Sequence, residues 1–182
     1  MKSMRRVGVI GGLPMLLIAL FASAALAVAP GTYTPTAGSF NPANAPGSAH
    51  LASGTVECVV NAALDVNCSP YVLGGVGNTN ATVSLTATYS ATIDCTNKGG
   101  NLVESHTSTF SDSSSATVAS TRNGQLRVPA QSASAFSAPQ VCPNPNWTPS
   151  IRAGTLVLES FTYTLTFAGF TSPYITITAS DP

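Results

Sequence analysis

The clearest signal in this chain of 182 residues is a strict alternation of apolar and polar side chains between Ala81 and Cys95. A period of two places successive side chains on opposite faces of a β-strand, so one face is buried and the other is hydrated. The pattern predicts one strand, longer than most, with a bend or bulge midway. Its predicted buried positions are Val83, Leu85, Ala87, Tyr89, Ala91 and Ile93.

Further alternating runs predict the remaining strands. Residues 155–167 and 174–179 flank a Gly-Phe-Thr-Ser-Pro turn and are predicted to form a terminal hairpin. Residues 103–110 are a candidate strand followed by a turn at Asp112–Ser115, and Asn123-Gly124 is a strong hairpin-turn signal. In the run 155–167, one face is predicted to carry Val157, Glu159, Phe161, Tyr163, Leu165 and Phe167.

The four cysteines fit this strand pattern. If Val60 faces Val66 in a hairpin, Cys58 faces Cys68 on the same side. Three pairings are possible in principle, and this register favours one of them. The predicted disulfides are Cys58–Cys68 and Cys95–Cys142, whereas no pair has the C-x-x-C spacing of a zinc site, so no metal or cofactor is predicted.

Seven or more short strands with turns between them predict an all-β fold, an antiparallel immunoglobulin-like β-sandwich, with a small barrel as the alternative. Residues 51–182 are predicted to form this single domain. Residues 28–50 are rich in Pro, Gly and Ala. They predict either a disordered linker or an arm, anchored by Tyr33 and Phe40, that adds a strand to its own or a neighbouring sheet and so permits self-association.

The first 27 residues have the features of a secretory signal peptide. A basic front at Lys2, Arg5 and Arg6 precedes an apolar stretch, and an A-x-A pattern ends at Ala27, the predicted cleavage position. Export would allow the cysteines to oxidise. If the leader were retained, residues 7–29 are long enough to span a bilayer and would anchor the protein in the cell envelope.

Removal of the leader changes the charge of the chain. The formal net charge of the whole sequence is zero. After cleavage, Lys98, Arg122, Arg127 and Arg152 stand against seven acidic residues, which gives a net charge of −3. Four dispersed basic residues provide no patch for a phosphate backbone, so no nucleic-acid partner is predicted.

Short motifs in the middle of the chain resemble those of small secreted bacterial β-sandwich proteins of uncharacterised function. They are the C-x-N-x-G-G-N run from Cys95, the Asn123-Gly124 turn and the C-P-N-x-N-W run from Cys142. The resemblance covers residues 82–167. It implies a Cys95–Cys142 bridge and a sandwich, and it carries no activity or catalytic residue to this chain.

Candidate catalytic groups are sparse. Glu104 and His106 are two residues apart and face the same side of a strand, but Ser105 faces the other side and no G-x-S-x-G motif is present. No catalytic residue is therefore assigned. A glycosidase needs two facing carboxylates; the candidates, none singled out by spacing, are Glu57, Asp65, Asp94, Glu104, Asp112 and Glu159.

Trp147 is the best candidate for a binding residue. It is the only tryptophan and lies on a predicted loop with Asn144 and Asn146, where an aromatic ring beside amides could stack on a sugar. The alternative is that Trp147 folds over the Cys95–Cys142 bridge and closes one end of the core.

These observations favour a secreted, non-enzymatic protein that binds or packs at a surface or in a matrix, with a carbohydrate or cell-surface component as partner. Two alternatives stay open. One is a secreted polysaccharide hydrolase that uses dispersed carboxylates, and the other is an envelope-anchored protein that keeps its leader.

Overall fold

The structure is a computed structural model and describes residues 27–138 and 140–180. The predicted signal peptide, except Ala27, lies outside the described residues and stays a prediction. The named strands pair antiparallel and carry two disulfides, which confirms the all-β, antiparallel, doubly bridged fold. The strands are β1 (Gly31–Tyr33), β2 (His50–Gly54), β3 (Cys58–Val60), β4 (Val66–Cys68), β5 (Tyr71–Gly74), β6 (Ala81–Thr96), β7 (Leu102–Val118), β8 (Leu126–Val128), β9 (Gln131–Ala133), β10 (Thr148–Ile151), β11 (Val157–Phe167) and β12 (Ile175–Ser180).

The strands form one large sheet and two small ones. The large sheet has the order β7-β6-β11-β12, with β10 beside the far end of β6. The small sheets have the orders β1-β3-β4-β9 and β2-β5-β8. Tyrosine hydroxyls of the large sheet bond to the small sheets: Tyr89 Oη donates to Ala133 O at 3.2 Å, and Tyr163 Oη donates to Tyr71 Oη at 2.9 Å.

Strand β6 confirms the strongest sequence prediction. It is continuous over 16 residues and buries every second side chain, from Ala81 to Cys95. It stays one strand because partners line its whole length: β7 pairs along one side, while β11 and then β10 pair along the other. The irregularities fall at its partner's Leu158–Ser160 step and at its own Cys95–Thr96 end.

The predicted turn at Asp112–Ser115 is wrong. These residues lie inside β7, which runs for 17 residues, and Asp112 pairs with Ala87 while Ser115 pairs with Ser84. Asp and Ser favour turns as isolated residues. Here the ladder that β6 offers outweighs that local preference, because strand propensity depends strongly on the neighbouring strands.

The terminal hairpin is confirmed, since β11 pairs with β12 over Ser160–Leu165. The face predicted for β11 is wrong at the start of that strand. A bulge between Leu158 and Ser160 shifts the alternation, so Leu158 is buried whereas Val157 and Glu159 are half-buried. A bulge adds one residue to one strand and moves the side chains before it to the opposite face.

The short hairpin around the first disulfide follows the predicted register. Cys58 pairs with Cys68 and Val60 pairs with Val66. Both disulfides, Cys58–Cys68 and Cys95–Cys142, are present. Leu64 lies in the turn between the two strands, with a φ of 66°.

The segment between Val28 and His50 packs on the rest of the chain. Strand β1 pairs with β3, so the segment adds a strand to its own sheet. Tyr33 makes an edge contact with Phe161 at 5.2 Å between ring centroids, and Phe40 makes one with Tyr174 at 5.5 Å. From here on, we use the name arm only for residues 34–40, the part of this segment that runs along β12.

Candidate functional site

The outward side of the large sheet is built from hydroxyl side chains. The alternation that buries the odd positions of β6 turns its even positions outward, and from Thr82 to Thr92 all of these are Ser or Thr. On β7 the outward positions from Ser105 to Thr117 are also all Ser or Thr. We call the outward Ser and Thr residues of β6, β7, β11 and β12 the hydroxyl face.

Strand register places these hydroxyl groups in rows. One row across the sheet contains Ser115, Ser84, Thr164 and Thr176, and the next contains Ser113, Thr86, Thr162 and Thr178. Within the first row Ser84 Oγ lies 2.9 Å from Thr164 Oγ1, a hydrogen bond across two strands. The face therefore presents regularly spaced donors and acceptors without charge over most of its area.

A charged cluster interrupts the hydroxyl face at its far end. Arg152 donates to both oxygens of Asp94, at 2.6 and 3.1 Å, and also to Ser105 Oγ at 2.8 Å. Ser105 Oγ in turn donates to Asp94 at 2.7 Å. These hydrogen bonds to Arg152 and then to Ser105 lower the pKa of the Asp94 carboxyl. The cluster links β7, β6 and the residue that follows β10.

A polar pocket of about 260 Å³ lies between β7 and the small sheet that contains β4 and β9. Asp65, beside β4, and Asp112, on β7, both line it, although they are far apart in sequence. Asp112 Oδ2 accepts a hydrogen bond from Ser134 N at 2.9 Å, and Asp65 Oδ2 accepts one from Asn61 at 2.9 Å. Burial, then the charges of Asp65 and Asp112, raise the pKa of the neighbouring Tyr89.

The other candidate carboxylates are dispersed. Asp94 pairs with Arg152, Glu104 lies near His106, and Glu159 lies at the bulge of β11, while Glu57 precedes β3. Glu104 Oε1 is 3.9 Å from His106 Nδ1, on the opposite side of β7 from Ser105. No group of three or more metal-ligating side chains occurs among the residues that the structure covers.

Trp147 is half-buried at the far end of β6. It packs against the cluster of Ala91, Ile93 and Cys95, the position that closing one end of the core requires. It also lines a recess of about 260 Å³ together with Asn144, whereas Asn146 is exposed and bonds to Asn144 through its backbone N at 2.9 Å. Because this cluster lies on the inner face of β6, Trp147 and the hydroxyl face lie on opposite sides of the sheet.

The sequence alone did not identify the Asp65–Asp112 pocket or the hydroxyl face, for two different reasons. The Asp65–Asp112 pocket needs the contact between strands of two different sheets, which no spacing along the chain encodes. The hydroxyl face was visible as the polar half of each alternating strand, and only its extension across four strands needed the sheet order. The chain shows no match to known protein families, to curated proteins or to solved structures.

Proposed function

We propose that this protein is a secreted, non-enzymatic module that binds or packs at an extracellular surface or matrix, on an immunoglobulin-like β-sandwich scaffold. The hydroxyl face is the observation that carries this proposal. Two disulfides, which are typical of oxidising compartments, support an extracellular location. The low charged fraction, 8 % of the chain, also suits a surface that binds neutral partners.

A neutral polysaccharide is the partner whose chemistry fits the hydroxyl face best. Ser and Thr hydroxyls both donate and accept hydrogen bonds, as sugar hydroxyls do. Rows set by strand spacing repeat the same groups over a wide area, so a repeating polymer could make many equivalent contacts. Each bond contributes little net free energy, and affinity would come from their number.

The test is retention of the purified protein on insoluble neutral polysaccharides. Thr86→Val combined with Thr162→Val removes two hydroxyls from the centre of one row and is expected to weaken binding about tenfold. Thr171→Val, on the exposed turn before β12, is the matched control and should bind as the wild type does. If the double variant binds like the control, the hydroxyl face is not the binding surface.

The Trp147 loop is tested separately because it lies on the other side of the sheet. Tryptophan fluorescence that shifts on addition of soluble glycans, and binding that is lost in Trp147→Ala but not in Asn146→Ala, would assign binding to that loop. Emission that ignores glycans would leave Trp147 with its packing role alone.

A secreted polysaccharide hydrolase is the second candidate, and the shared Asp65–Asp112 pocket is the observation that favours it. Release of reducing ends from polysaccharides by the wild type, abolished by Asp65→Asn or Asp112→Asn, would support it. Glu104→Gln is the control, because Glu104 does not line the pocket. Absence of turnover on a broad polysaccharide panel would count against this candidate.

The third candidate, an envelope-anchored protein, depends on the leader. No helix in the described part of the chain is long and apolar enough to cross a membrane. The intact mass of the exported protein distinguishes the possibilities: cleavage after Ala27 gives a chain that begins at Val28, and a retained leader gives the full mass. Resistance of the protein to release from membranes would support the anchor.

A further inference from the structure

Strand β7 forms the longest edge of the molecule. It pairs with β6 over its whole length, and no described strand pairs with its second side. An unpaired edge presents backbone N–H and C=O groups that another strand can bind. At 17 residues, β7 is far longer than β1, β2, β8, β9 and β10, the strands that end the other ladders, which have three to five.

Two of the usual protections of an edge strand are missing from β7, although Glu104 and Asp112 place charges on its inner face. The strand contains no Pro and no Lys, and its register with β6 is regular from Glu104 to Val118. By contrast, β10 carries Pro149, and the arm bonds to the backbone of Thr176 in β12. Leu102 and Val103, at the start of β7, are 56 % and 43 % exposed, so apolar surface is also left open there.

We propose that the β7 edge pairs with the same edge of a second copy of this chain, antiparallel and around a two-fold axis at Thr109. In this register Thr109 faces Thr109 of the second copy. His106 faces Asp112 of the second copy, and the same contact recurs on the other side of the axis.

A hydrogen-bond partner for His106 and the repulsion between carboxylates select this register among its neighbours. His106 Nδ1 is buried and has no hydrogen-bond partner among the described residues, while Glu104 Oε1 is 3.9 Å away. Moving the axis to Ser108 would place Glu104 opposite Asp112 twice, which is repulsive. Moving it to Phe110 would remove both His106–Asp112 contacts. An odd shift would turn buried side chains outward.

The dimer leaves no β7 edge free for a third copy, because each copy pairs through its single β7 edge. Its outward residues remain outward, so the hydroxyl faces of the two copies join into one surface across Thr109. This interface requires no carbohydrate, and its failure leaves the proposed polysaccharide binding untouched.

The experiment is sedimentation velocity on the protein purified from cells that express the full sequence, over micromolar to millimolar concentrations. The wild type is expected to show a monomer–dimer equilibrium. Thr109→Lys places two ammonium groups opposite each other at the axis and is expected to weaken dimerisation at least about tenfold. Thr109→Glu should weaken it in the same way.

An equimolar mixture of the Thr109→Lys and Thr109→Glu proteins is the decisive sample. Opposite charges then meet at the axis, so heterodimers should form where each variant alone stays monomeric. Thr162→Lys, on the same face of β11 but away from the edge, is the control and should dimerise as the wild type does. Circular dichroism establishes that each variant is folded.

Three results would overturn the proposal. They are a wild type that stays monomeric throughout, oligomers that grow without limit, and a dimer that both Thr109 variants leave intact. Loss of the dimer on Phe40→Ala with the Thr109 variants unaffected would assign the contact to the arm instead.

Discussion

At the β12 edge of the large sheet, the arm bonds to backbone groups of Tyr174 and Thr176, whereas no described strand pairs with the β7 edge. Thr36 N and Ser39 Oγ donate to Thr176 O at 2.8 and 3.0 Å, and Thr176 N donates back to Ser39 Oγ at 3.1 Å. Phe40 N donates to Tyr174 O at 2.7 Å. Ser39 thus supplies a donor and an acceptor, as a paired strand residue would.

The difference shows how an irregular segment can satisfy backbone groups at a sheet edge. The arm forms no ladder with β12, yet two hydroxyls, of Thr36 and Ser39, and two backbone amides bond to backbone groups at that edge. Strand β7 has no such cover and instead depends on its ladder with β6. The two edges should therefore respond differently to mutation.

The largest expected effect comes from removing the Cys95–Cys142 disulfide, which fixes the end of β6 beside β7. This bridge closes a loop with a sequence separation of 47 residues. Its loss through Cys95→Ala and Cys142→Ala should lower the free energy of unfolding by about 4 kcal/mol, measured by urea denaturation. Hydrogen exchange should accelerate at residues 102–110 more than at residues 175–180.

The matched control removes Cys58–Cys68, which joins β3 and β4 in a different sheet and has a sequence separation of 10. It should cost about 3 kcal/mol without a preference for β7. Equal acceleration of exchange at both edges in the Cys95–Cys142 variant would contradict the predicted local effect.

Opening the covered edge is expected to have an intermediate effect. Ser39→Ala removes both hydrogen bonds of the hydroxyl to Thr176 and should lower the free energy of unfolding by about 2 kcal/mol. Ser113→Ala makes the same change on the outward face of β7 and should stay within about 0.5 kcal/mol of the wild type. Similar losses in the two variants would mean that the arm does not stabilise its edge.

Alkaline pH should destabilise the protein through a buried tyrosine, Tyr163, on the strand that pairs with β12. Burial raises the pKa of Tyr163, on β11, to about 12 from the ordinary 10.0. Because the raised value favours the neutral form in the folded state, stability is retained below pH 10.0 and lost as the pH rises towards 12.

This prediction is checked by urea denaturation at a series of alkaline pH values. Tyr163→Phe removes one of the titrating groups, so its stability should fall less steeply above pH 10 than that of the wild type. The variant also loses the hydrogen bond to Tyr71, which should cost about 1 kcal/mol at neutral pH. Identical slopes for the two proteins would exclude Tyr163 as a source of the pH dependence.

The smallest effect is expected at the exposed cluster near the β7 edge. Arg152→Gln removes the main cause of the lowered pKa of Asp94, so that pKa should rise towards its ordinary 3.8 in an NMR titration of the carboxyl carbon. The Asp94 contribution to stability is present above pH 3.8 and is lost as the pH falls through the lowered value. A titration unchanged by the substitution would show that Arg152 does not pair with Asp94 in solution.

Local signals predicted much of the fold because the alternating period is itself a physical property of a half-buried strand. Strand β6 and the Cys58–Cys68 register follow directly from it. The prediction failed at Asp112–Ser115, where a neighbouring strand overrode turn propensity, and at Val157–Glu159, where a bulge changed the face. Both failures arose from contacts between strands.

The candidate sites divide in the same way. The Ser and Thr residues of the hydroxyl face were present in the alternation, but their rows depend on which strands are neighbours. Asp65 and Asp112 were two of six dispersed carboxylates in the sequence, and the packing of two sheets brings them to one pocket. Trp147 was singled out as an unusual residue, and its contact with the Cys95 cluster required the packed end of β6.

The sequence by itself determined the all-β class, the long alternating strand, the cysteine pairs and the composition of both sheet faces. These properties follow from the periodicity of side chains along a strand and from local pairing. The tertiary structure alone decided that the arm covers β12, that β7 stays open and that two aspartates share a pocket. Such outcomes depend on contacts between residues distant in sequence, which periodicity does not encode.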